Sequence, residues 1–181
     1  MDTGEAERIL TESCIDFLNS ILAELRKVRE TYSSNFSDIF KKAKDSGHLY
    51  SRQMTPEQLK EGLGGVNSTV GDPNFYLYLE QTSFNQTDLR AGYKLIHDLF
   101  HAAASGVGVS AQFNHTEMAR AAYSVAMSNP VVKKQLMNTS HAGPVKNVSY
   151  TQKGFNKGDD WYNGTMFTTI VRLGCPIPDS K

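Results

Sequence analysis

Helical periodicity is the feature that most constrains how this 181-residue chain can fold. Between residues 10 and 28, apolar side chains recur every three or four positions and charged residues occupy the positions between them. This spacing predicts an amphipathic helix with one face in a core. The apolar stripe consists of Leu10, Cys14, Leu18, Ile21, Leu25 and Val28. Because Cys14 lies on that stripe, we expect it to be buried.

Similar spacing and capping residues predict further helices along the chain. A last helix is expected from Asp159 or Asp160 to Leu173, although Gly164 and the β-branched run 168–171 weaken it, and a strand over 166–172 is the alternative. The alternation of aromatic and aliphatic residues over 74–80 predicts a strand. Five other helices are predicted. They run from Ser33 or Ser34 to Lys44, over a short stretch that Thr55 caps with Pro56 in its first position, from Asp88 to about Ser105, from Asn114 with His115 in the first turn, and over 130–137.

These elements predict the fold class. We expect a single α+β domain over residues 1–181, mostly helical and with a small β-sheet.

Charge and hydropathy narrow the range of partners. The 19 basic and 19 acidic residues balance, and no extended basic cluster is present, so nucleic acid and anionic membranes are not expected as partners. No apolar run reaches the roughly 18 residues that a membrane-spanning helix needs. The first residues lack the basic and apolar regions of a signal peptide, so any export signal is expected to lie outside this sequence.

Two further residue types admit two interpretations each. The two cysteines, Cys14 and Cys175, could form a disulfide or remain two buried thiols.

Asparagines in N-x-S/T triplets could carry glycans, but asparagine also caps helices and turns, and we favour capping as their main role. These asparagines are Asn35, Asn67, Asn85, Asn114, Asn138, Asn147 and Asn163.

The segment His97-Asp98-Leu99-Phe100-His101 contains candidate metal ligands and a candidate catalytic base. On a helix, residues four apart share one face, so both imidazoles could bind a single metal ion. Asp98 lies about 100° further round the helix, on the side expected to be exposed, and is the candidate general base that takes a proton from water at the metal. Imidazole ligands favour Zn²⁺.

A catalytic zinc needs a third protein ligand. His115 is the predicted one, because it follows a glycine-containing turn that can bring the chain back over the metal. Glu117 and His141 are the alternatives. Asp98 stands where the usual zinc-hydrolase pattern has glutamate, and its shorter side chain could leave a metal site with slow or absent turnover. A metal-free helical interaction module is a further alternative.

The order of these segments resembles a known family. The strand from Phe75 to Glu80, the helix Leu95–Ala103 with its HDxxH motif, and the segment from Asn114 to Ala119 are similar to the zincin-like metallopeptidase domains at the C-terminal ends of large secreted bacterial repeat proteins. A helix carrying Cys14 and an end segment from Trp161 to Pro176 extend the resemblance loosely over most of the chain.

The resemblance implies a zinc-dependent peptidase acting on a peptide or protein substrate. It implies His97 and His101 as ligands and Asp98 as the position of the catalytic acid, and it supports His115 less firmly. It also implies export as part of a larger polypeptide, hence an extracellular location, and favours a Cys14–Cys175 bridge.

Overall fold

The computed structural model describes nine stretches of the chain: residues 4–27, 35–45, 49–52, 56–57, 65–67, 77–80, 90–104, 111–138 and 160–178. The helices in these stretches are α1 (Gly4–Ile9), α2 (Glu12–Arg26), α3 (Phe36–Asp45), α4 (Arg90–Ala104), α5 (Ala111–Ser128), α6 (Pro130–Asn138) and α7 (Asp160–Gly174). Three short strands are β1 (Leu49–Arg52), β2 (Gly65–Asn67) and β3 (Leu77–Glu80).

The predicted α+β class is wrong, because the core that the structure describes is all helical. Among the residues whose side-chain burial the structure describes, every buried apolar one lies in a helix, except Cys175, which directly follows α7. The strands are three or four residues long and pair in the order β1-β3-β2, parallel between β1 and β3 and antiparallel between β2 and β3. The predicted predominance of helix is confirmed.

Helix α2 supplies the largest single share of this core, as its apolar stripe predicts. It begins where the Thr11 side chain accepts a hydrogen bond from the backbone N–H of Cys14, at 3.3 Å, which satisfies one of the free donors of the first turn. Its buried residues are Cys14, Phe17, Leu18, Ile21, Leu22 and Leu25.

Two asparagines cap helices. The Asn35 side chain accepts from the backbone N–H of Asp38 at the start of α3, so this glycosylation triplet has a capping role in the fold. Asn129 accepts from the backbone N–H groups of Val131 and Val132, both at 3.2 Å, and Pro130 takes the first helical position of α6. The predicted start of α6 is therefore confirmed.

The last segment is helical throughout, which decides between the two predictions made for it. Met166, Phe167, Ile170 and Val171 are all buried, and their three- and four-residue spacing places them on one face of α7. Burial of this face outweighs the weak helix propensity of Gly164 and the β-branched residues, because tertiary packing contributes more than propensity. Helix α7 packs most extensively against α5, and α2 also packs on α5.

A disulfide joins the two ends of the described chain. Cys14 in α2 and Cys175 after α7 are bonded, with Cα atoms 4.6 Å apart across 161 residues of sequence. The Tyr93 hydroxyl donates a hydrogen bond to the Cys175 carbonyl at 2.5 Å. Together these contacts hold the C-terminal end of α7 against α2 and α4.

None of the helices in the described stretches is long and apolar enough to cross a membrane.

Candidate functional site

Helix α4 carries the HDxxH segment in its second half. The neighbouring residues Ile96, Leu99 and Phe100 are fully buried, and His97 is half-buried beside them, as the helical spacing predicts. His97 is thus held by a packed helix face while its ring reaches the edge of the core.

His97 and His115 lie in direct contact. Their Nε2 atoms are 3.1 Å apart, and their ring centroids are 5.1 Å apart with an angle of 68° between the ring planes. His115 lies on α5, which begins at Ala111. Asn114 therefore lies inside the helix, and the prediction that it caps α5 with His115 in the first turn is wrong. The two histidines are close although His115 lies beyond the first turn of α5.

The other predicted ligands are described less fully. His101 lies in α4 one turn after His97, but its side chain is outside what the structure describes, and His141 lies outside the described residues altogether. Glu117 is half-buried on α5. Among the side chains that are described, no three histidine, cysteine, aspartate or glutamate residues form a metal-binding group. Of the three predicted histidine ligands, the structure therefore describes the side chains of His97 and His115.

Helix α7 adds two residues that the sequence motifs do not indicate. The Thr168 hydroxyl lies 2.9 Å from Nδ1 of His97, and it donates a hydrogen bond to the Gly164 carbonyl at 3.0 Å. Gly164 also faces His115, because a Cβ built on it would lie 3.3 Å from both Nε2 and Cε1 of that ring. The one sequence signal for this contact is a glycine inside a helix, where it costs stability relative to alanine.

His97 packs at the end of a row of three buried phenylalanine rings. Phe167 packs edge-on against the His97 ring at 5.5 Å between centroids, and Phe100 lies 5.1 Å from Phe167. Phe36 stacks on Phe100 at 5.3 Å. Burial in these surroundings is the main cause that lowers the pKa of His97 to about 3, and the nearby His115 lowers it further. His97 is therefore neutral at physiological pH.

Asp98 does not lie on an exposed face. It is half-buried, and burial raises the pKa of its carboxyl to about 7, while Lys94, one turn earlier on α4, acts in the opposite direction. The expectation of an exposed Asp98 is wrong, because the side chain lies against packed protein. A carboxyl with a pKa near neutrality is well matched to accepting and returning a proton.

No family model matches the chain, and neither a curated protein nor a solved structure matches it. The resemblance to zincin-like domains therefore stays a prediction. The case for a function rests on the geometry of His97, His115 and their neighbours.

Proposed function

We propose that the protein is a zinc-dependent peptidase that binds Zn²⁺ through Nε2 of His97 and Nε2 of His115, with His101 as the third ligand. The observation that carries the proposal is the 3.1 Å separation of two imidazole nitrogens that come from different helices. One turn of α4 separates His101 from His97, so both could face the same ion.

The separation of the two nitrogens fits a shared zinc ion. Zinc binds imidazole nitrogen at about 2.0–2.1 Å in a tetrahedral arrangement, which places two such nitrogens roughly 3.3 Å apart. The observed 3.1 Å needs only a small adjustment of either ring. The same distance also suits a direct hydrogen bond between the rings, so metal binding has to be measured.

The protonation state of His97 supports the same proposal. A histidine must be neutral to bind a metal, and metal binding normally competes with protons for the ring. Because burial keeps the pKa of His97 at about 3, zinc would displace no proton from this ring at neutral pH. The buried Phe167 ring beside it also covers one side of the His97 ring.

Bound zinc would supply a Lewis acid that polarises the substrate carbonyl and acidifies water. Asp98 would take the proton from that water and pass it to the leaving amine, and its pKa of about 7 suits both steps. The aspartate is one methylene shorter than glutamate, and a misplacement of about 1 Å can slow an enzyme roughly a hundredfold.

Zinc binding is tested by equilibrium dialysis of the metal-free protein, followed by metal analysis. We expect one equivalent of zinc in the wild type and in His48→Ala, the matched control outside the motif, and its loss in His97→Ala and His115→Ala. The variants His101→Ala, Glu117→Gln and His141→Ala identify the third ligand. If the wild type holds no zinc at micromolar free metal, the proposal is wrong and a metal-free helical module is the better explanation.

A second candidate is a metal site without turnover, which the aspartate at position 98 favours. Hydrolysis of a mixed peptide library separates the two candidates. Activity in the wild type that is lost in Asp98→Asn supports the peptidase. Zinc binding without activity in the wild type, together with activity in Asp98→Glu, supports the inactive metal site.

A further inference from the structure

Helix α7 lies outside the predicted motif, yet its Thr168 contacts the first histidine of that motif. We infer that the Thr168 hydroxyl selects the tautomer of His97 that leaves Nε2 without a proton and turned toward His115. Thr168 is then a positioning residue for the proposed metal site. It acts through His97 and touches neither metal nor substrate.

The tautomer of His97 follows from the single hydrogen of the Thr168 hydroxyl. A threonine hydroxyl has a single hydrogen to donate and can accept with its lone pairs. Thr168 donates its hydrogen to the Gly164 carbonyl at 3.0 Å. Its oxygen can therefore only accept from Nδ1 of His97, which lies 2.9 Å away. Nδ1 must carry the N–H of the neutral ring, and Nε2 must be the bare nitrogen.

The local structure of α7 favours this orientation of the hydroxyl. Gly164 precedes Thr168 by one helical turn, and a threonine hydroxyl in a helix commonly bonds to the carbonyl four residues earlier. The acceptor is thus supplied by the same helix, independently of His97. The helix sets the direction of the Thr168 hydrogen, and that direction determines which ring nitrogen of His97 is protonated.

The opposite tautomer would close the site. With a proton on Nε2, the ring would present an N–H to His115 across the same 3.1 Å, and that nitrogen could not bind a metal. With Nε2 bare, the metal-free protein is stabilised instead by an N–H of His115 that donates to His97. Zinc would then take the place of that hydrogen, and the neutral His115 ring would pass its proton from Nε2 to Nδ1 through water, so that both Nε2 atoms could bind the ion without net proton release.

The consequence for zinc rests on the proposed function, whereas the tautomer can be observed without metal. Groups that hold the second nitrogen of a ligand histidine typically change metal affinity by about 10- to 100-fold. We therefore expect Thr168→Val, which keeps the shape and removes the hydroxyl, to weaken zinc binding by roughly that factor. Thr168→Ser, which restores the hydroxyl, should return the affinity to within about threefold of the wild type, since it keeps the same contact.

The direct test is the nitrogen NMR spectrum of the ¹⁵N-labelled, metal-free full chain, in which long-range couplings identify the protonated ring nitrogen. We expect protonated Nδ1 and bare Nε2 on His97 in the wild type and in Thr168→Ser. In Thr168→Val we expect the form protonated at Nε2 to appear. Thr169→Val, the neighbouring half-buried threonine, is the matched control for a β-branched substitution in α7 and should leave His97 unchanged.

The outcomes separate this inference from the proposed function. A wild-type His97 protonated at Nε2, or a Thr168→Val spectrum identical to that of the wild type, overturns the inference whatever the metal result. A shifted tautomer in Thr168→Val in a protein that binds no zinc supports the role of Thr168 and rejects the proposed function. Far-UV circular dichroism and thermal unfolding establish that each variant is folded before its spectrum is interpreted.

Discussion

Gly164 of α7 lies so close to the ring of His115 that an added Cβ would be 3.3 Å from Nε2, which is tighter than an ordinary contact. We predict that Gly164→Ala weakens zinc binding, because the ring must move by a few tenths of an ångström away from its position facing His97. Helix stability should change in the opposite sense, since alanine is favoured over glycine by about 1 kcal/mol inside a helix. Zinc titration and thermal unfolding of the same samples measure both effects.

The control for helix propensity is Thr165→Ala, an exposed neighbour in α7. It should leave zinc affinity unchanged. Equal zinc affinity in Gly164→Ala and the wild type would contradict a role for the close contact between Gly164 and His115.

The opposite pKa shifts of His97 and Asp98 predict an unusual dependence of stability on pH in the metal-free protein. Between about pH 3.8 and 6.5, the unfolded chain holds one proton on His97, while the folded chain holds one on Asp98. The two effects cancel, so the pair contributes no slope to the unfolding free energy in this range. Replacing either residue should therefore reveal the pH dependence of stability that the other one contributes.

In Asp98→Asn only the His97 effect remains. The unfolded state then binds one more proton than the folded state from about pH 3 to 6.5, so the unfolding free energy rises with pH, by roughly 1 kcal/mol per pH unit. Above about pH 3.8, where the pair contributes no slope in the wild type, the two proteins diverge. In His97→Asn only the Asp98 effect remains, and the unfolding free energy falls as pH rises from 3.8 to about 7. Urea denaturation at several pH values gives both slopes. Parallel curves for the two variants would show that the shifts are absent.

The disulfide between Cys14 and Cys175 should contribute strongly to stability. It closes a loop spanning 161 residues of sequence, for which the chain-entropy model gives about 5 kcal/mol. We predict that the double variant Cys14→Ala/Cys175→Ala unfolds at much lower urea concentration than the wild type. Wild-type protein unfolded in the presence of a reductant should match the double variant. Two titratable thiols in non-reduced, denatured wild type would contradict the bridge.

The end of α7 packs tightly on α2. A Cβ on Gly174 would overlap the ring of Phe17, which is itself buried. We predict that Gly174→Ala destabilises the protein by about 1–3 kcal/mol in chemical denaturation, as overpacking of a core does. The double variant Gly174→Ala/Phe17→Leu should be less destabilised than the sum of its single variants, because the smaller side chain makes room. Strict additivity would argue against the contact.

Helix positions were largely predictable from the sequence, because their determinants are local. The stripe of α2, the cap formed by Asn129 and the first-turn Pro130 each depend on residues within two turns of one another. The fold class was not predictable in the same way. Alternation over 74–80 predicts a strand, and β3 (Leu77–Glu80) forms there, but the described core is built from helices alone. Alternation specifies a local strand, whereas the fold class depends on which faces pack together.

The sequence by itself determined that His97 lies on a helix beside a packed apolar face, and it indicated His115 as a partner. Only the tertiary structure decided that the two Nε2 atoms meet at 3.1 Å, and that Asp98 is half-buried with a raised pKa. The contacts of Thr168 and Gly164 with the histidines also depend on the tertiary structure. Thr168 follows His97 by 71 positions in the sequence, so no local pattern links them. The physical reason is that spacing along one helix specifies a face, whereas the polarity and packing that tune a site come from distant helices.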